Sequence, residues 1–230
     1  MSATCPFGVC DSSGWIVDAS GQNATACRCR AQQISHSRAR SLSAVIPRRF
    51  RGVSFDRPPV TEIDPGVVRE VRRYVQEIEG QLDEGRGLWF MGDVGTGKTT
   101  LAMLVSKAAL DAGRSVAIYS LPRLLAEIRK TYDDGSDRTY LQLLDRLRTV
   151  DLLHVDDVGA ERTTDWVLEQ LYAIINSRYE DRRAIVVTTN LDHELLREQI
   201  GARTVSRLVE MCGDPLPLFG PDRRMELRLA

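Results

Sequence analysis

Leu88-Trp89-Phe90-Met91-Gly92-Asp93-Val94-Gly95-Thr96-Gly97-Lys98-Thr99-Thr100 runs from a short apolar strand into a glycine-rich loop and on into a helix. Every fixed position of G-x-x-x-x-G-K-[ST] is filled between Gly92 and Thr99, and the strand-before, helix-after setting is the one a phosphate-binding loop requires. Backbone N–H groups must turn inward to wrap a phosphate, and glycines permit both the dihedrals and the close approach. The helix starting near Lys98 aims its positive end at the same place. Lys98 supplies an ammonium for the outer phosphates, and Thr99 a hydroxyl for magnesium. A nucleoside triphosphate is therefore expected over Gly92, Asp93, Val94, Gly95, Thr96, Gly97, Lys98, Thr99 and Thr100.

Downstream, short apolar runs alternate with helical spacing. Strands are expected at 115–119, 152–155 and 184–188, with a further strand at 216–219. Helices are expected at 98–112, 121–130, 138–148, 164–179, 192–198 and 203–211. Strands apolar on both faces, alternating with helices, predict a parallel sheet between helical layers. The third strand, Leu152-Leu153-His154-Val155-Asp156-Asp157, ends in two carboxylates. A nucleotide-bound Mg²⁺ needs a hard oxygen ligand, which makes Asp156 the candidate. Asp157 is the candidate to polarise an attacking water. The fourth strand ends in Thr188-Thr189-Asn190, at the sheet edge where ligands bind in open α/β folds, so Asn190 is expected near the γ-phosphate. His154 reads as a buried strand residue rather than a ligand. Arg203 and Arg207 lie on one helical face. Either could reach a neighbour's nucleotide, and the competing reading is an ion pair with Glu198 or Glu210.

Upstream, Pro65 follows a capping Asp64, and apolar positions from Val67 to Leu82 recur at helical spacing up to Gly85. Between Arg28 and Phe55 there are seven arginines and no acid, which reads as a solvated connector or a contact for an acidic partner. Four of the five cysteines, Cys5, Cys10, Cys27 and Cys29, fall in the first 29 residues. Clustered thiols in a reducing compartment favour metal over disulfides, and four thiolates suit structural Zn²⁺. Cys212 reads as a small buried hydrophobe. The expected organisation is a Cys-rich zinc-ribbon-like segment at 1–35, an Arg-rich connector at 36–64 and a nucleotide-binding domain at 65–230.

The 230 residues are 43% apolar and 27% charged, with a net charge of −1. That balance excludes global disorder and makes no bulk electrostatic case for a polyanion. No apolar run is long enough to span a bilayer. The first fifteen residues lack a basic region leading into an apolar one, so a cytoplasmic protein is expected, without membrane partners.

Taken in order, Ile46–Phe55, the phosphate loop, Leu152–Gly159, Thr188–Asn190, Ser206-Arg207-Leu208 and Gly220–Arg224 resemble the DnaC/IstB-like branch of the AAA+ ATPases, which includes bacterial helicase loaders. The resemblance covers about residues 45–225. It implies a P-loop ATPase of the AAA+/ASCE type whose nucleotide lies between subunits. Thr99 and Asp156 would handle Mg²⁺, Asp157 would be the catalytic carboxylate, Asn190 the first sensor and Arg207 the arginine finger. Arg223 or Arg224 would stand in for a second sensor. Arg123, Arg129 and Lys130, in the insert at 121–148, are candidates for single-stranded DNA. The expected partners are a replicative helicase, single-stranded DNA and further copies of the chain. The alternative within the branch is a transposition helper that binds duplex DNA and recruits a transposase. Outside it stand a small-molecule kinase, for which no acceptor motif is visible, and a nucleotide-dependent scaffold without turnover.

Overall fold

The computed structural model describes residues 5, 8–11, 13–18, 21, 23–27, 29, 46–132 and 139–222. Arg28, Arg30, Arg38 and Arg40, the polar loop at 133–137 and the pair Arg223/Arg224 lie outside the described residues.

Two short strands, β1 (Trp15–Val17) and β2 (Ala24–Ala26), pair antiparallel, with Trp15 opposite Ala26. Beyond them, a 3₁₀ turn at Arg48–Phe50 and another at Val60–Glu62 lead into α1 (Pro65–Gln76). Proline at the first helical position loses no N–H bond, and the Asp64 carboxylate caps the helix by accepting from Gly66 N at 2.8 Å and Val67 N at 3.0 Å. The helical spacing expected from Val67 to Leu82 is split in two. The backbone leaves helical geometry at Glu77 (φ −105°, ψ 19°), and α2 (Ile78–Asp83) follows, burying Ile78 and Leu82.

The main sheet holds β3 (Leu88–Gly92), β4 (Val116–Ser120), β5 (Leu152–Asp156), β6 (Ala184–Thr189) and β7 (Leu216–Leu218). Its order is β4-β5-β6-β3-β7, and every adjacent pair is parallel. Parallel strands need crossovers, and the helices supply them: α3 (Lys98–Asp111), α4 (Leu121–Lys130), α5 (Tyr140–Thr149), α6 (Asp165–Glu180), α7 (His193–Ile200) and α8 (Ala202–Cys212).

Side chains alternate across each strand, so both faces are apolar. Trp89, Leu153, Val155, Ile185 and Val187 pack under α4 to α8. Leu88, Phe90, Leu152, Ala184 and Val186 pack under α1 to α3. Phe50, Val53, Val60 and Ile63, from the stretch read as an Arg-rich connector, join this second core. The central helix α3 is apolar around most of its surface, as a helix flanked by sheet and helices must be.

One buried cation serves the fold. The Arg178 guanidinium is inaccessible to solvent and donates to the carbonyls of Leu147 (2.6 Å), Val150 (2.9 Å), Asp151 (3.2 Å) and Ala184. It ties the end of α5 to the starts of β5 and β6, and the carbonyl oxygens repay part of the desolvation of the charge.

Candidate functional site

The phosphate loop sits where β3 gives way to α3. Gly92 (φ 139°) lies so close to β7 that a Cβ would fall 2.0 Å from Leu218 O. Gly97 (φ 107°) is packed so that a Cβ would fall 2.4 Å from the Ile63 side chain. No other residue type fits either position without displacing its neighbour. Gly97 is also the residue before α3, and no side chain caps that helix. Its first N–H groups therefore remain available to an anion.

The loop is tied from within and from β7. Thr96 Oγ1 donates to Asp93 O (2.8 Å), Asp93 N to Leu218 O (3.0 Å), and Gly220 N to the Asp93 carboxylate (3.0 Å). Asp93 and Thr96 thus shape the loop, while Val94, Gly95, Gly97, Lys98, Thr99 and Thr100 line a cavity of about 630 Å³. Lys98 is buried, and its ammonium donates to Gly92 O (2.8 Å) and Asp93 O.

Facing the loop are the tips of β5 and β6. Because β6 lies between β3 and β5, its end meets the phosphate loop on one side and the paired aspartates on the other. Thr188 joins them. Its hydroxyl donates to Asp156 Oδ1 (2.7 Å) and accepts from Asp157 N (2.8 Å). Thr99 Oγ1 donates to the same Asp156 oxygen at 2.8 Å. Asp157 adopts positive φ (64°), a conformation that costs a non-glycine residue free energy and persists where surroundings enforce it. Here Thr188 holds its N–H, and Asn190 Nδ2 donates to its Oδ1 at 2.7 Å. Asp156, Asp157, Thr188 and Asn190 all line the cavity.

A third wall was not singled out by its chemistry in the sequence. Arg49, Phe50, Val53, Pro59 and Ile63 also line the cavity. The signal available was the apolar Phe50, Val53 and Ile63 inside an otherwise polar stretch. The walls thus combine cations (Lys98, Arg49), carboxylates (Asp156, Asp157) and an apolar panel, a mixture suited to a ligand with anionic and aromatic parts.

His154 is wholly buried behind Asp156 and shares a hydrogen bond with Ser106 Oγ (2.9 Å). Burial pushes its imidazole down to about 4, against the opposing pull of the Asp156 charge, so it is neutral at pH 7.

Arg207 does not line this cavity. Its guanidinium lies 4.1 Å from the centre of the Tyr179 ring, donates to Glu210 Oε1 (3.1 Å) and to Asn176 Oδ1 (3.3 Å), and stands between α6 and α8. Of the two acids weighed as partners, Glu210 is the one in contact. Arg203 is exposed. On α4, Arg123 pairs with Glu127 (3.5 Å) and Arg129 lies over the Trp166 ring (4.8 Å). Lys130 is exposed. Cys212 is half-buried at the end of α8, and its thiol faces Ile185 O.

The other candidate site is the cysteine cluster. Cys5, Cys10, Cys27 and Cys29 place their four sulfurs within 4.8 Å of one another, with no disulfide among them. The β1–β2 hairpin brings the pairs together through Cys27 N donating to Gly14 O at 2.9 Å. Zn–S bonds of about 2.3 Å in a tetrahedron set sulfurs roughly 3.8 Å apart. Cys5 and Cys27 lie 3.9 Å apart, and Cys10 and Cys29 3.3 Å. Burial, then the neighbouring thiols, push the Cys29 thiol up, so four thiolates could share this space only around a cation.

Among the described residues, no helix is long and apolar enough to cross a membrane.

Comparison with known proteins places this geometry. The model of the IstB-like ATP binding protein family matches residues 68–208. The replicative helicase loader DnaC of Buchnera aphidicola (from Schizaphis graminum) is 27% identical over 142 residues, 62% of this chain and 56% of that protein. DnaC of Escherichia coli is 28% identical over 139 residues, 60% of this chain and 55% of that protein. The chain thus spans about half the length of the curated relatives it matches. Among solved structures, a DnaC helicase loader aligns over 76% of this chain and all of that chain, with a TM-score of 0.63 and 26% identity. AMPPCP-bound DnaA from Aquifex aeolicus shares the fold over 70% of this chain and 50% of its own, with a TM-score of 0.57 and 20% identity. The sheet order, the phosphate loop and these likenesses make the fold a P-loop NTPase of the AAA+ type. With its family model matched across well over half its length, the chain belongs to the IstB-like ATP-binding proteins.

Proposed function

We propose that this protein is an ATP-driven helicase loader that works in the cytoplasm on a replicative helicase and single-stranded DNA, hydrolysing ATP between its own subunits. The observation that carries this reading is the junction of Thr99, Asp156, Thr188, Asp157 and Asn190 by 2.7–2.8 Å hydrogen bonds around one cavity, in a chain whose fold matches a DnaC helicase loader.

In this reading the loop N–H groups and Lys98 bind the triphosphate, and Phe50, Val53, Pro59 and Ile63 receive the adenine ring. Thr99 and Asp156 hold Mg²⁺, which would offset charge on the transferring phosphoryl group. Asp157, fixed by Asn190, orients the attacking water and accepts its proton. Arg207, presented on a face away from its own cavity, serves the site of the next subunit. Arg123, Arg129 and Lys130 contact DNA phosphates. Cys5, Cys10, Cys27 and Cys29 hold a structural Zn²⁺ that keeps the N-terminal segment folded as a docking unit; a piece this short has too little core to fold unaided.

The test is ATP turnover across a range of protein concentrations, with and without single-stranded DNA, beside affinity capture of wild type and Lys98→Ala in ATP. Turnover per chain that rises with concentration, is lost in Arg207→Ala, and accompanies ATP-dependent capture of a helicase is the expected result. Concentration-independent turnover in a fully active Arg207→Ala would reject the shared site. The family match favours one other reading, a transposition helper on duplex DNA, and capture of a transposase in place of a helicase would select it.

A further inference from the structure

His154 precedes Asp156 by two positions in β5, so the two side chains share a face of the strand. The imidazole is buried completely between that face and α3. Its Nδ1 meets the hydroxyl of Ser106, also fully buried, at 2.9 Å. Its Nε2 is buried without a hydrogen-bond partner among the described residues and lies 4.0 Å from Asp156 Oδ1.

An unpaired buried nitrogen is unfavourable, and native interiors rarely keep one without a reason. Leu152, on the same face, is apolar, and an apolar residue at 154 would leave no orphan. The arrangement also selects a tautomer. A hydroxyl can give or accept, so Ser106 tolerates either form of the ring. The Asp156 carboxylate does not. It repels a bare ring lone pair and attracts an N–H. The proton therefore belongs on Nε2, with Ser106 donating to Nδ1.

We propose that His154, held by Ser106, is a positioning residue for Asp156 through its Nε2–H. Thr99 and Thr188 already donate to Asp156 Oδ1, and His154 Nε2 approaches the same oxygen. Three positive dipoles on one oxygen fix the carboxylate's rotation and leave Oδ2 outside these contacts, available to the cavity that Asp156 lines. The inference rests on the reading of Asp156 as the metal-holding carboxylate and adds the pair behind it. Partners that orient a metal-holding carboxylate in this way typically change metal affinity when removed.

The test uses the full chain, Mn²⁺ as a paramagnetic probe and ADP. Electron paramagnetic resonance titration measures Mn²⁺ bound in saturating ADP, and ¹⁵N spectra of histidine-labelled wild type report the tautomer. His154→Leu is expected to weaken Mn²⁺ about tenfold, Ser106→Ala to weaken it in the same direction, and His154→Gln, which keeps an N–H in reach, to recover most of the loss. The wild-type ring is expected to carry its proton on Nε2. Unchanged Mn²⁺ affinity in His154→Leu, or a proton on Nδ1, would overturn the proposal. Should His154→Leu fail to fold, Ser106→Ala and the wild-type tautomer still decide it. Wild type that captures no Mn²⁺–ADP would sink the reading of Asp156 itself, and this inference with it. Wild type that binds normally beside unaffected variants would sink only the role of His154.

Discussion

Replacing Thr188 by valine keeps the shape of the residue and removes only its hydroxyl, which joins the ends of β5 and β6. Thr188 is 2% exposed, so water does not substitute for what is lost. Two contacts disappear: donation to the Asp156 carboxylate at 2.7 Å and acceptance from Asp157 N at 2.8 Å. A hydrogen bond to a charged group contributes about 1.5–3 kcal/mol, and an orphaned partly buried N–H costs about 1–3 kcal/mol. The expected destabilisation is about 4 kcal/mol, or a fall in melting temperature of about 8–16 °C for a domain of this size. The Asp157 backbone at φ 64° loses one of the two groups that enforce its conformation, so turnover should fall further than the melting temperature explains. Scanning calorimetry and steady-state ATP hydrolysis at a temperature where the variant is folded measure the two effects separately. Thr188→Ser should restore both. A Thr188→Val protein that melts within about 2 °C of wild type and hydrolyses ATP at the wild-type rate would refute the bridging role.

Lys98→Ala should abolish ATP binding, measured by titration calorimetry, because it removes the buried ammonium that stands at the loop and donates to the carbonyls of Gly92 and Asp93. Arg178→Met should cost about 3–5 kcal/mol in urea denaturation, since the carbonyls of Leu147, Val150 and Ala184 lose a buried partner. Prolonged exposure to a strong chelator, or Cys27→Ser, should release about one zinc per chain by elemental analysis and expose the 5–29 segment to protease, while ATP binding persists; a sample purified without chelator that carries no zinc would contradict this. His154, with its pKa near 4 in the fold against 6.5 unfolded, binds fewer protons folded than unfolded. Its contribution is complete above pH 6.5 and is lost as pH falls toward 4, by about 3 kcal/mol in all. The stability difference between wild type and His154→Gln, followed by denaturation from pH 7 to 4, should show that slope.

The helix boundaries illustrate where local patterning suffices. Leu121–Lys130 was expected and found at the same residues, because its apolar positions are fixed by its own period. The break at Glu77 was not expected. Nothing in the residues 67–82 distinguishes one helix from two, and the second piece turns to bury Ile78 and Leu82 under the sheet. The same limit applies to single side chains. Arg178 reads as one of many helix-surface arginines until Leu147, Val150 and Ala184 are seen to surround it. Arg207 left two acids open as partners, and only the packing of α6 against α8 selects Glu210 and adds Tyr179.

What the sequence determined by itself is the phosphate loop, the paired aspartates and the alternation of buried strands with helices. Each is set by neighbours in the chain: a phosphate cradle needs glycines and a lysine at fixed spacing, and a strand buried on both faces must be apolar throughout. The tertiary structure alone decided that β6 inserts between β3 and β5, that Phe50 and Ile63 wall the cavity beside Lys98, and that His154 stands behind Asp156 with Ser106. Those outcomes depend on strand order and on contacts between residues far apart in the chain, from Leu152 opposite Ala184 to Leu88 opposite Val186. No local period encodes them, because they are settled by which faces bury together once the whole chain has folded.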